Sequence, residues 1–337
     1  MLQKPLEEWL EESESLPNCI ISDLCPPWTT EIALKFKFPR LIFQTTSCFS
    51  LLCSHNITSS NVLEGVTSNS EPFLNIWCTG PLSLCNKISD KLENGNDTSN
   101  DTSVIYVCFG SLCQMIASQL VELALGLEAS NYPFIWVIKK GDYSKEFENW
   151  LVEENFEERT KERGLIIRGW APQVQILSHS AIRGFLTHCG SNSTLEAVIT
   201  GVPVITWPMI SEQFYNEKLL VQVLRIGVRV GINVSTDNEE EKDKVLVKSE
   251  DVKKAIEQLM EEEREERRER ARKLRGITKK AVEEGGSSYF NEELLIQHIR
   301  GQSRVLIILS IWRRNVIFLK IGMDNAKNVI QISIEVF

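Results

Sequence analysis

Apolar and polar positions follow two rhythms along this chain. Short β-rich apolar runs recur, and between them lie segments whose apolar residues return every three or four positions. Cys19-Ile20-Ile21-Ser22 and Arg40-Leu41-Ile42-Phe43 predict two strands, with helices over residues 6–14 and 30–36. Val104-Ile105-Tyr106-Val107-Cys108 predicts a third strand and residues 118–128 an amphipathic helix; further strands are predicted at 134–138, 164–167, 184–187 and 203–206. Ser249 is placed to cap a helix in which Val252, Ile256 and Leu259 share a face. The mixed charges from Glu261 to Arg270 continue that helix as a solvated surface, and Gly285-Gly286 ends it. Strands alternating with helices predict parallel α/β sheets, whose functional groups gather at the carboxyl ends of strands.

The pattern divides the chain into residues 1–90, a polar linker at 91–103 rich in Asn, Asp, Thr, Ser and Gly, a second α/β region at 104–302, and a tail at 303–337. Twenty of the tail's 35 residues are apolar, without a sustained helical or strand period. It reads as a poorly packed segment foreign to the rest, rather than an amphipathic membrane-surface segment.

Composition narrows the function. The 337 residues suffice for two domains, and 42% hydrophobic with 25% charged residues is a globular balance. The net charge of −9 argues against nucleic acid as a partner, because phosphate backbones are held by clustered Lys and Arg. The most apolar stretch, Val305 to Trp312, is eight residues long and runs into Arg313-Arg314, too short for a membrane span. The nine cysteines lie between Cys19 and Cys189 with no CxxC pair, and no basic-then-apolar leader opens the sequence. The expectation is reduced thiols in a cytoplasmic protein, with no metal site.

The chemistry concentrates in the 44 residues from Trp170 to Gln213. Phe185-Leu186-Thr187 ends a strand, His188-Cys189-Gly190-Ser191 makes a tight turn, and Asn192-Ser193-Thr194-Leu195-Glu196 opens a helix. A strand, a glycine turn and a helix N-terminus make a phosphate pocket, since free N–H groups and the positive end of the helix dipole converge there. His188, Asn192 and Ser193 add donors, and Glu196, one turn along, can accept from a pair of sugar hydroxyls. Trp170, between Gly169 and the nearby Pro172, suits a stacking plate on a loop. Glu212 and Gln213 follow a strand and the Trp207-Pro208 break, again at a strand's carboxyl end. Taken singly, each residue has a plainer explanation in packing or helix capping. Together, aromatic plate, phosphate cradle, diol acceptor and polar pair match a nucleotide diphosphate sugar.

That segment resembles the signature box of plant family-1 UDP-dependent glycosyltransferases. Pro81-Leu82-Ser83-Leu84-Cys85-Asn86-Lys87, Tyr106-Val107-Cys108-Phe109-Gly110-Ser111 and Gln213-Phe214-Tyr215-Asn216-Glu217-Lys218 are similar to the subgroup acting on flavonoids, terpenoids and hormones, and the likeness covers residues 1–300. The resemblance implies a GT-B fold of two Rossmann-like lobes, with an incomplete acceptor-side lobe in residues 1–90 and a donor-binding lobe in 104–302. It implies that Trp170 stacks on uracil, the Ala171 backbone bonds its edge, and Gln173 and Glu196 hold the ribose. His188, Asn192, Ser193 and Ser111 would hold the diphosphate at the Gly190-Ser191 turn, with Glu212 and Gln213 on the sugar and Gln213 favouring glucose. UDP-glucose would be the donor substrate, with no cofactor or metal, and a hydroxyl of a small hydrophobic acceptor would be glucosylated with inversion. In the family a histidine near the N-terminus deprotonates the acceptor and an aspartate orients it; Asp23 matches the aspartate.

The chain also departs from the family pattern. Its four histidines, at 55, 179, 188 and 298, all follow Asp23. The acceptor-binding stretch expected before Leu74-Asn75-Ile76-Trp77 is missing, as is a shorter piece before Ser103. Ser191 stands where Trp is usual, Ser180 where Pro is common and Arg183 where Gly is common. The alternative reading is therefore a non-catalytic UDP-sugar-binding or truncated glycosyltransferase-like protein.

Overall fold

Two groups of residues pack as separate compact units, one formed by Met1–Thr45, Phe73–Cys78 and Tyr289–Phe337, the other by Thr46–Pro72 and Thr79–Ser288. The structure is a computed structural model and describes residues 3–14, 16–17, 19–22, 27–42, 50, 53, 103–111, 113–139, 144–231, 247–261, 264–300, 305–312, 315–323 and 330–336. Asp23, His55, Leu74 to Trp77, Pro81 to Lys87 and residues 91–102 of the expected linker lie outside the described residues.

In the first unit, Leu6 and Leu10 stand one turn apart on α1 (Gln3–Glu12) and bury their side chains with Ile32 and Ala33 of α2 (Trp28–Phe36). Ile20 of β1 (Cys19–Ser22) and Phe38 complete that core. Across the outer edge Lys35 reaches Glu7 at 3.0 Å and Glu11 at 2.9 Å, both exposed pairs of small energetic weight. β2 (Arg40–Ile42) pairs in parallel with β1, as the alternating pattern predicts.

The second unit is a six-stranded, fully parallel sheet in the order β5-β4-β3-β6-β7-β8. Its strands are β3 (Val104–Cys108), β4 (Phe134–Ile138), β5 (Gly164–Arg168), β6 (Ile182–Thr187), β7 (Val204–Thr206) and β8 (Gly227–Arg229). Side chains alternate between two cores, one on each face. Ile105, Val107, Phe134, Trp136 and Leu186 pack on one side with Leu120, Leu123 and Leu127 of α3 (Ala117–Ala129). Phe147 of α4 (Lys145–Glu153) and Phe156 of α5 (Phe156–Thr160) join that layer. Tyr106, Val137, Phe185 and Val204 pack on the other side with Leu177 of α6 (Gln173–Leu177) and Ala197 and Val198 of α7 (Ser191–Thr200). Strands covered on both faces read as continuous apolar runs, which is why they were legible.

Beyond β7 come α8 (Gln213–Lys218) and a π-helical turn at Leu219–Val223. α9 (Ser249–Met260) packs Val252, Ile256 and Leu259 into the first core, the face expected from the sequence. The expected continuation of that helix through the charge run is corrected. α9 ends at Met260, and a separate α10 (Arg264–Val282) follows. The physical reason is Arg267: its buried guanidinium turns back and donates to the carbonyls of Gln258 and Leu259, at 3.5 and 3.4 Å, closing the end of α9. Gly285, at φ +80°, stands in the break before α11 (Ser287–Arg300).

The tail, without a period in the sequence, holds three strands, β9 (Val305–Trp312), β10 (Asn315–Met323) and β11 (Ile330–Val336). β9 runs parallel to β1, and β10 and β11 add antiparallel, giving the order β11-β10-β9-β1-β2. No helix among the described residues is long and apolar enough to cross a membrane.

Candidate functional site

The carboxyl ends of β3 to β7 form one rim, because the sheet is fully parallel. β6 delivers His188, Cys189 and Gly190 to that rim, and α7 starts at once. Cys189 occupies the left-handed region at φ +63°, unfavourable for a residue with a side chain. Three neighbours hold it there. The Thr187 hydroxyl accepts from its N–H at 3.3 Å, while Thr194 Oγ1 and Asn216 Nδ2 donate to its carbonyl at 3.3 and 2.8 Å. Gly190 adopts φ −59° and its carbonyl accepts from Thr194 N–H at 2.9 Å, closing the first turn. No acidic side chain stands in that turn, so the dipole's positive end is left for an external anion.

His188 is 8% exposed, with its ring close against two glycines. A Cβ on Gly190 would fall 2.4 Å from Nε2, and one on Gly110 would fall 2.6 Å from Cε1. Nδ1 is buried without a hydrogen-bond partner among the described residues. Burial, then the charge of Lys139, push the imidazole down to about 4, so at neutral pH it is uncharged. A neutral imidazole donates through one nitrogen only and brings no charge of its own.

At the other side of α7, Gln173, Ser193 and Glu196 meet. Gln173 Nε2 donates to Glu196 Oε2 at 2.6 Å and to Ser193 Oγ at 3.2 Å, and its Oε1 accepts from the Tyr106 hydroxyl at 3.4 Å. Burial raises the Glu196 carboxyl, and the Gln173 amide partly offsets this by bonding the carboxylate. Trp170 stands on the loop between β5 and α6 with 84% of its surface exposed, next to the buried Ala171, and Gly169 allows the turn at φ +106°. An indole left bare on the loop that leads into Gln173 is free to stack on a planar ring.

Ser111, behind the positive-φ Gly110, and Asn192 are exposed, and Ser191 is half-buried at the start of α7. Ser193 is buried with its hydroxyl on Gln173, on the same side as Glu196. Glu212 occupies the N-cap position of α8 and is half-buried. Gln213 is 4% exposed and largely committed inside the protein: Oε1 accepts from Met209 and Ile210 N–H at 2.9 and 3.1 Å, and Nε2 donates to Cys113 Sγ at 3.3 Å. That leaves one amide hydrogen for anything else.

Sequence reasoning missed three side chains around this set. Tyr106 reaches Gln173 from the sheet, and strand alternation placing it on Phe185's face was the available signal. Lys139 follows β4, flagged only by its position at a strand's carboxyl end. Asn216, 0% exposed, accepts from Ser50 Oγ at 3.0 Å and donates to Cys189 O and, at 3.4 Å, to Ser191 Oγ. No local pattern marks it. Asn216→Ala strips a buried carbonyl of its closest donor, so it should destabilise the protein by about 2 kcal/mol and loosen the turn at Cys189. A denaturant titration checks this; a stability equal to that of the parent would refute it.

Comparison with known proteins gives these observations a family. Residues 73–279 match the family model described as UDP-glucoronosyl and UDP-glucosyl transferase. UDP-glycosyltransferase 73C2 of Arabidopsis thaliana is 41% identical over 384 aligned positions, covering 90% of this chain and 77% of the relative. That alignment is longer than the chain itself, so the relative carries stretches without a counterpart here. The crystal structure of Glycyrrhiza uralensis UGT73P12 complexed with glycyrrhetinic acid 3-O-monoglucuronide superposes with a TM-score of 0.76 at 32% identity, covering 89% of this chain and 76% of that one. A transferase from Siraitia grosvenorii in complex with UDP gives a TM-score of 0.69 at 25% identity, covering 88% and 86%. These neighbours establish the GT-B fold class expected from the sequence.

Proposed function

The chain belongs to the UDP-glucoronosyl and UDP-glucosyl transferase family, and we propose that it transfers glucose from UDP-glucose to a hydroxyl of a small hydrophobic acceptor, with inversion. The observation that carries this reading is the convergence of Gln173, Ser193 and Glu196 within one helical turn of the His188-Gly190 turn, beside an exposed Trp170. In this reading uracil stacks on Trp170 with its edge on the Ala171 backbone, and the ribose diol bonds Glu196 and Gln173. The diphosphate lies over the N-terminus of α7, held by His188, Ser111, Asn192 and the N–H groups of the Gly190-Ser191 turn, and Glu212 with the free hydrogen of Gln213 reaches the sugar.

The chemistry follows from that placement. A single displacement at the anomeric carbon breaks the bond to the diphosphate as the acceptor oxygen attacks from the opposite side, which inverts configuration. Charge builds on the departing diphosphate, where the dipole of α7 and the His188 donor are already aimed, so they stabilise the transition state more than the ground state. Asp23 matches the aspartate that orients the family's N-terminal histidine, but all four histidines here follow Asp23, so the acceptor's proton passes to water or to a base other than that histidine. Residues 1–90 form the acceptor side, 91–103 the linker and 104–302 the donor side of this arrangement. The described cysteines are free, which supports a reducing, cytoplasmic setting.

Incubation of the full chain with UDP-glucose and a panel of phenolic and terpenoid alcohols tests the reading, the anomeric configuration of the product being read by NMR. A β-glucoside supports it. UDP-glucose binding without transfer to any acceptor would replace it with the second reading, a donor-binding protein. Trp170→Ala isolates the base site: UDP affinity should fall about 10–100-fold, the weight of one base–aromatic stack. The melting temperature should hold, because the indole is exposed. Calorimetry that finds UDP affinity unchanged would remove Trp170 from the site.

A further inference from the structure

The groups assigned to the diphosphate are electrically neutral. His188 is uncharged at neutral pH, Ser111, Asn192 and Ser191 carry no charge, and the end of α7 supplies about half a positive charge. A diphosphate brings more negative charge than that, so a full cation is wanted at the floor of the pocket.

Among the described residues, Lys139 meets the requirement. Along β4, Trp136 and Ile138 face the first core and Val137 the second, so Lys139 continues on Val137's side. That is the face of Tyr106, Ala171 and Ala197, covered by the helices that carry Gln173, Ser193 and Glu196. Lys139 stands just beyond the last residue of β4, at the rim, where Gly169 N–H bonds the Ile138 carbonyl at 2.8 Å and the Trp170 loop departs. The register pairs Val137 with Cys108 and Cys108 with Thr187, which sets Lys139 level with the Gly110 and Cys189 turns in the neighbouring strands. Its Nζ is buried. Its charge acts on both His188 and the Cys108 thiol, and the Glu196 carboxylate acts on that same thiol with the opposite sign.

We propose that Lys139 is the cation of the donor site, its ammonium neutralising the diphosphate from the floor of the pocket between the His188 turn and Glu196. This rests on the reading of the site as a UDP-sugar site and adds a residue to it. Desolvating an ammonium is costly, and a bound diphosphate offsets part of that cost directly. Lys139 thus contributes to UDP and UDP-sugar affinity while leaving the nucleoside contacts untouched.

The test compares UDP with uridine, which keeps the base and ribose and lacks the phosphates. Both are titrated by calorimetry at two salt concentrations into the full chain and into its Lys139→Met and Lys139→Arg variants. The expected result is an approximately 10–100-fold loss of UDP affinity in Lys139→Met, uridine affinity unchanged, and a shallower salt dependence for UDP. Lys139→Arg, which keeps the charge, should stay within about threefold of the parent. In Lys139→Met the His188 ring, followed by NMR, should titrate at higher pH than in the parent, because a neighbouring cation is gone. Unchanged UDP affinity in Lys139→Met, or equal losses for UDP and uridine, would overturn the proposal and leave the donor site standing. A parent chain that binds neither ligand would overturn the donor-site reading itself, and this proposal with it.

Discussion

Gly190→Ala should lower UDP affinity by about 10–100-fold while leaving the sheet folded. The added Cβ would sit 2.4 Å from His188 Nε2, closer than any stable contact. The ring has little room to move, since Gly110 also stands against its Cε1 and Nε2 atoms with no space for a Cβ. Either the imidazole is driven out of its slot or the turn opens, and both remove groups aimed at the diphosphate together. Overpacking of this kind costs about 1–3 kcal/mol in stability, and loss of a charge-assisted hydrogen bond costs a similar amount in affinity. The two effects are separated by measuring UDP binding well below the melting temperature. A Gly190→Ala protein that binds UDP like the parent would place the diphosphate elsewhere.

His188→Ala should reduce glucose transfer by about 10²–10³-fold, the effect of removing one preorganised donor from developing negative charge. It also changes how stability responds to pH, and the sign is fixed by the folded environment. An unfolded histidine titrates at its ordinary value near 6.5, whereas the buried ring holds out to about 4. Between those values the unfolded chain binds a proton that the folded chain refuses, so stability falls as pH drops through the window. The loss is complete below about 4 and amounts to at most about 3 kcal/mol. His188→Ala should lose the part of the acid sensitivity lying between pH 6.5 and 4. Denaturant titrations at pH 7 and pH 4.5 check this; identical pH responses in parent and variant would mean that the ring is solvated in the folded protein.

How far the sequence foretold this structure depends on the range of the interactions involved. The strands of the parallel sheet were legible because burial on both faces makes them continuous apolar runs. The turn from His188 to Ser191 was legible because a strand signal stops and a helical one starts across a glycine. β8, three residues long, gives too short a window for any period. α4 packs through Phe147 and Leu151 within an acidic segment, and α5 anchors on Phe156, a single apolar residue in a polar stretch. The tail's strands escaped because short apolar stretches cannot be assigned by periodicity alone.

The site shows the same division. Trp170, Gln173, His188 and Glu196 could be placed from one contiguous segment, since each keeps its local position on a loop, a strand end or a helix face. Gln213 shows the limit. Its position after a strand suggested an open ligand, whereas its side chain is turned inward onto Met209, Ile210 and Cys113. Asn216 and Tyr106 act across 27 and 67 residues of chain, distances that no motif spans.

The most direct test of the account is a calorimetric titration of UDP into the full chain and into Glu196→Ala. The account predicts saturable one-to-one binding by the parent, weakened about 10–100-fold in the variant, since the ribose diol loses a charged acceptor. No binding by the parent, or equal binding by both proteins, would contradict it.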